Sequence, residues 1–219
     1  TYDNASLTLD SLTLSGNLQA TAAGISQSVA SILDVTGTST FTVTGTNSIT
    51  LGEANQLDNS VTFAGANLQD VVFRNASATP GALVLPSAFG SLKLTYDNAS
   101  LTLGNLTLSG NLQATGHGIV QSAASVLDVT GTSTFTVTGI NSITLGEANQ
   151  LDGAVTFAGT NLQNVTLRNA SATPGAVNFL ASLTNLTLQY DTAALSLGGV
   201  TLGGNLNAMG VGITQTGPL

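Results

Sequence analysis

The chain has no cysteine and no tryptophan, only three tyrosines, and charged residues make up just 6% of its 219 positions. Each scarcity closes off a class. Without cysteine there is neither a disulfide framework nor a thiolate metal site. Arg74, Lys93 and Arg168 are the only fixed cations against a net charge of -8, so the clustered Lys and Arg that neutralise phosphates are missing and no nucleic acid partner is expected. No stretch approaches the roughly 20 consecutive apolar residues of a spanning helix, and the aromatic girdles of an outer-membrane barrel are absent. The expectation is therefore a soluble chain with no membrane insertion. One histidine, His117, and no cysteine leave no persuasive Ser-His-Asp or Cys-His arrangement. We expect no enzyme: no catalytic, cofactor-binding or metal-binding residue is assigned, and no cofactor is called for. The chain opens on Thr1 with neither a basic n-region nor an apolar h-region, so no signal peptide is read and the expectation is a mature product or a piece of something longer.

What is present is repetition. Thr1-Tyr2-Asp3-Asn4-Ala5-Ser6-Leu7-Thr8-Leu9 returns as Thr95 to Leu103 at an offset of 94, and a worn third copy runs from Tyr190-Asp191 to Leu195 and Leu197. Self-similarity of this kind points to a stacked array rather than a globule with one site. The boundaries follow: repeat 1 at 1–94, repeat 2 at 95–188 and a partial repeat 3 at 189–219, read as one continuous rod. An apolar content of 42% is enough for a core.

Strand signals dominate. In Thr38 to Thr44, Phe41 and Val43 share one parity while Thr40, Thr42 and Thr44 occupy the other, the period-2 pattern of a half-buried strand. Further alternating runs are Ser6–Leu9, Leu12–Leu14, Ser48–Leu51, Ser60–Phe63, Leu68–Phe73, Ala82–Leu85 and Ser91–Thr95, each bounded by Gly, Asn, Asp or Ser. The segment Gln27 to Leu33 has a helical flavour, but it is short and Ser-rich, so a strand or corner is expected. Strand-bearing segments recur every 19 to 24 residues, as from Ile49 to Leu68 and Leu68 to Leu92. Four to five coils per repeat suit a parallel β-solenoid. A propeller would need four strands within about 40 to 50 residues, and a sandwich array, the serious competitor, leaves the subperiod and the broken third copy unexplained.

Gly16-Asn17-Leu18-Gln19-Ala20-Thr21-Ala22-Ala23-Gly24-Ile25-Ser26-Gln27-Ser28, followed by Leu33 to Phe41, resembles the G-N-L-x-x-T-A-x-G-I-x-Q-S … L-x-V-x-G-T-x-T-F run of filamentous-haemagglutinin-like bacterial surface adhesins. Asn47-Ser48-Ile49-Thr50-Leu51 through Leu57, then Val61 to Leu68, is similar to the N-x-I-T-L segment of the same repeats, with Leu57 where those carry Phe. The resemblance covers both full copies, and the partial copy keeps Gly204-Asn205-Leu206 and Gly212-Ile213-Thr214-Gln215. It implies an all-β, right-handed parallel β-helix shaft on secreted proteins of adhesion or matrix formation.

Candidate sites are weighed against that frame. Glu53 and Asp58, repeated as Glu147 and Asp152, place two carboxylates five residues apart, a possible calcium pair or a solvated corner, and the corner is favoured. Tyr2-Asp3, Tyr96-Asp97 and Tyr190-Asp191 suit either a carbohydrate platform or a corner in which Asp accepts backbone hydrogens, again favouring the corner. Thr40, Thr42 and Thr44 with Thr134, Thr136 and Thr138 resemble an ice-binding hydroxyl array, but the copies lie four to five coils apart. Asn4, Asn75, Asn98, Asn105, Asn164, Asn169 and Asn185 head N-glycosylation triplets. Paired-carboxylate polysaccharide cleavage is the enzyme alternative. The reading is a non-enzymatic shaft of an exported bacterial adhesin or extracellular fibre, at the cell surface or outside the cell. It self-associates through solenoid ends or neighbouring repeats, with surface glycans as candidate partners. A carbohydrate- or ice-binding module is the alternative.

Overall fold

The computed structural model describes residues 1–2, 4–180 and 182–218; Asp3, Ala181 and Leu219 lie outside the described residues. Among the described residues all regular structure is β-strand. Ser39–Val43 shows why: Ser39, Phe41 and Val43 are buried while Thr40 and Thr42 stay half exposed, as period-2 alternation requires. The chain divides into two compact units, Thr1–Ala99 and Ser100–Leu219. Each is a parallel β-solenoid.

The first unit has three strand-bearing faces. One stacks Leu7–Leu9, Ile25–Gln27, the first half of Asn47–Leu57, Leu68–Asn75 and Ser91–Tyr96. Their inward residues Leu7, Ile25, Ile49, Val71 and Leu92 are in register, at steps of 18, 24, 22 and 21 residues per turn. The second face stacks Leu12–Leu14, Leu33–Val35 and the end of Asn47–Leu57. The third stacks Leu18–Ala22, Ser39–Val43, Val61–Ala64 and Leu83–Val84, with Tyr2 bridging to Ala22 at its start. No turn can bury its apolar side alone, so the core is a column of like on like: Phe41 stacks on Phe63 with centroids 5.6 Å apart, and Phe63 meets Phe73 edge-on at 5.2 Å.

The second unit reproduces these registers 94 residues on. Leu101, Ile119, Ile143, Val165 and Leu186 align on one face, Leu106 and Leu127 on the next, and Leu112, Ser133, Val155 and Val177 on the third. Phe135, Phe157 and Phe179 form a stack with successive centroids 5.7 Å apart.

Corners are set by a few backbone choices. Gln27 to Leu33 is a corner between Ile25–Gln27 and Leu33–Val35, and Ala30 turns it at φ 60°, as Ala124 does in the second copy at φ 55°. Gly65 and Gly159 sit at φ +154° and +146°; a Cβ there would lie 2.5 and 2.6 Å from a methyl of Val43 or Val137, so only glycine passes.

Candidate functional site

The strand Asn47–Leu57 bends between Leu51 and Asn55, where its register with Leu68–Asn75 shifts. A bend strips backbone groups of their ladder partners, and a buried amide side chain, with donor and acceptor on one carbon, can replace them. Asn55, fully buried, does so. Its Oδ1 accepts from the Leu33 amide at 3.0 Å and from Gln27 Nε2 at 2.7 Å; its Nδ2 donates to Gln27 Oε1 at 3.1 Å and to the Arg74 carbonyl at 3.2 Å. One rung on, Asn75 donates to the Leu57 carbonyl at 2.8 Å and accepts from the Leu57 and Ser77 amides at 3.1 and 3.2 Å. Asn149 and Asn169 repeat the pattern. Tyr96 and Tyr190 take the next rung, each 5% exposed. Burial pushes both phenols up to about 12, with the bond between Tyr190 and Asn169 pulling the other way.

The carboxylates singled out from the sequence serve these corners. Asp58 accepts from Ser77 Oγ at 2.6 Å, and Asp152 from Ser171 Oγ at 2.6 Å, tying one turn to the next. Among the described residues no three of His, Cys, Asp and Glu come together, so Glu53 with Asp58, and Glu147 with Asp152, are not joined by a third such ligand. Asp97 and Asp191 belong to ion pairs instead. Arg74 Nε lies 3.1 and 2.9 Å from the two oxygens of Asp97, and Arg168 Nε lies 3.2 and 2.9 Å from those of Asp191. The hydrogen bonds from Arg168, aided by one from Gln189, hold the Asp191 carboxyl below its ordinary range. Beside Gly52, whose missing side chain leaves a notch, runs an open groove of about 320 Å³ lined by Val72, Arg74, Lys93, Thr95 and Asp97.

Hydroxyls do meet on neighbouring rungs. Thr40 pairs with Thr62 and Thr42 with Thr21 on the third face of the first unit. In the second unit Thr144, Thr166 and Thr187 occupy three successive rungs, with Asn207 on the fourth. The distance of four to five coils between copies of one motif was the wrong measure, because different segments of one repeat supply the adjacent rungs.

Other candidates separate by exposure. Tyr96 and Tyr190 are too buried to be sugar platforms, whereas Tyr2 is 53% exposed; Asp3 lies outside the described residues. His117 is exposed. Asn75 and Asn169 are buried and fully engaged, which removes them as glycan acceptors, while Asn4, Asn98 and Asn105 are exposed. Sequence reasoning passed over Asn55 and Asn149 and read Asn75 and Asn169 only as glycosylation triplets.

A family model described as repeats of unknown function (DUF5649) matches residues 1–64, 89–158 and 183–219. The chain belongs to this repeat family. The matches begin at 89 and 183 and end at 64 and 158, so they recur at the 94-residue spacing and leave 65–88 and 159–182 unmatched. No curated protein and no solved structure matches the chain.

Proposed function

We propose that this member of the repeat family is a structural shaft, without enzymatic activity, in an exported bacterial adhesin or extracellular fibre. The observation that carries the reading is the use made of its polar groups: the repeated amides, the Asp–Ser pairs and the Arg–Asp pairs all tie one turn to the next. Core residues are covered by the turns on either side, as Leu112 and Ile119 are, and the proposal includes self-association through solenoid ends or neighbouring repeats. The low charge and the outward Thr and Asn give a hydrated, weakly adhesive surface. The test is immunolabelling: antibodies raised on this chain should label intact cells or extracellular fibres of the source organism. Labelling only after cell lysis would sink the proposal.

A second reading, a carbohydrate-binding module, is favoured by the groove beside Gly52, where a guanidinium, a carboxylate and a hydroxyl line one notch. A glycan array probed with the chain and with Arg74→Ala distinguishes it, since loss of a binding signal in the variant would support the module.

A further inference from the structure

The groove beside Gly52 holds two of the chain's three fixed cations. They reach it from adjacent rungs of one face, where Lys93 pairs with Val72 and Thr95 with Arg74. Lys93 and Arg74 therefore stand on a diagonal of about 8 Å between backbones, within reach of two long side chains. Both bonds from Arg74 to Asp97, at 3.1 and 2.9 Å, run through Nε, and the arginine side chain is 43% exposed. That leaves the far end of the guanidinium for a second acid, since one carboxylate can take both Nη groups at once. Lys93 is exposed and forms no ion pair among the described residues. Of the other carboxylates nearby, Asp70 accepts from the Ser91 amide at 2.8 Å and from Ser48 Oγ at 3.4 Å, and Glu53 is not in the lining of the groove.

The same residues in the second unit are used differently. Gly146, Arg168 and Asp191 keep the frame, but Thr187 stands for Lys93, Gln189 for Thr95 and Thr166 for Val72. There Asp191 takes Nη2 of Arg168 at 2.9 Å as well as Nε, and it also accepts from Gln189 at 2.7 Å. That copy is a closed clamp, whereas the first keeps two cations against the one carboxylate of Asp97. We propose that the groove of the first unit binds a carboxylate-bearing sugar, a uronate unit of an acidic polysaccharide. The Nη groups of Arg74 and the Lys93 ammonium hold the carboxylate, Thr95 and Asp97 take ring hydroxyls, and the half-exposed Val72 meets the C–H face of the sugar. At about 320 Å³ the groove is at the small end of the range for ligand sites, which suits one stretch of a longer polymer lying across it. A net charge of -8 repels an acidic polymer from the rest of the chain and so concentrates its binding here. The inference rests on the carbohydrate-module reading and narrows it to one class of sugar.

Titration calorimetry of the whole chain with tetramers of galacturonate and of mannuronate, and with their methyl esters, tests it. At least one acidic tetramer should bind, about tenfold or more tighter than its ester, which has the same ring and no charge. Lys93→Thr, which installs the side chain found at Thr187, should weaken binding of the acid about tenfold and leave the ester unchanged, while Lys93→Arg should retain the acid. Gly52→Leu should abolish binding by filling the notch; a Cβ at Gly52 meets Val72 Cγ1 at an ordinary 3.6 Å, so the backbone can carry it. If that variant does not fold, by circular dichroism, Lys93→Thr at its exposed position decides alone. An ester that binds as tightly as its acid overturns the inference and leaves the module reading standing. A chain that binds neither acidic tetramer at about 10 mM overturns the inference, and the module reading falls with it only if neutral glycans fail as well. Undiminished acid binding by Lys93→Thr, or displacement of the tetramer by acetate at the same carboxylate concentration, also overturns it.

Discussion

Gln27 and Asn55 exchange amide hydrogen bonds across 28 residues of chain: Gln27 Nε2 donates to Asn55 Oδ1 at 2.7 Å and Asn55 Nδ2 donates back to Gln27 Oε1 at 3.1 Å. Gln121 and Asn149 do the same at 2.7 and 3.1 Å. Each pair fastens a corner turn to the bend of the longest strand, where the ladder alone cannot hold.

Asn149→Ala leaves the buried Leu127 amide without its acceptor and takes one of two acceptors from Gln121 Nε2, which keeps the Ser125 carbonyl. Orphaned buried donors cost about 1–3 kcal/mol each, so the variant should lose on the order of 3 kcal/mol. Urea unfolding followed by circular dichroism measures it, and a change below 1 kcal/mol would show that water replaces the amide.

Ala30 and Ala124 hold left-handed backbone, where a Cβ is penalised by about 1–2 kcal/mol. Ala30→Gly and Ala124→Gly should each raise stability by about 0.5–1 kcal/mol once the extra freedom of glycine in the unfolded chain is set against the relief. A lower midpoint in chemical denaturation would contradict this.

Ser39 and Ser133 are 1% exposed, and their hydroxyls lack a hydrogen-bond partner. Replacing an unsatisfied hydroxyl by hydrogen removes a desolvation cost, so Ser39→Ala should be neutral or stabilising by up to about 1 kcal/mol. The contrast is Ser77→Ala, which breaks the bond to Asp58 and should destabilise. Differential scanning calorimetry of the two variants should move the transition in opposite directions or leave only the second displaced.

Tyr96 and Tyr190 carry folded-state values near 12 against an ordinary 10, raised by burial. Stability from the neutral phenols is complete below pH 10 and is lost as pH rises between 10 and 12, at on the order of 2 kcal/mol per ring. Phenolate absorbance should therefore rise together with loss of the β signal. Ionisation of Tyr96 and Tyr190 well before unfolding would contradict their burial.

Much of the fold was legible. Alternation placed Leu12–Leu14 as observed, and Ser39–Val43, Leu68–Asn75 and Ser91–Tyr96 within two residues of either end. The coil spacing was also right in scale, although Ile49 stands over Val71 rather than over Leu68. The site was less legible, for a physical reason. Asn55 and Asn75 follow strand residues and precede Gln, Leu and Ala, so they read as turn chemistry, whereas their role depends on a bend that only the neighbouring turns create. Attention went to Glu53 and Asp58 because charge is conspicuous in a sequence, yet at this corner the amides carry the bonding.

Because Phe135, Phe157 and Phe179 stack ring on ring, the space each ring fills is made by the rings above and below it, so a change at one position decides which side chains its neighbours in the column can carry.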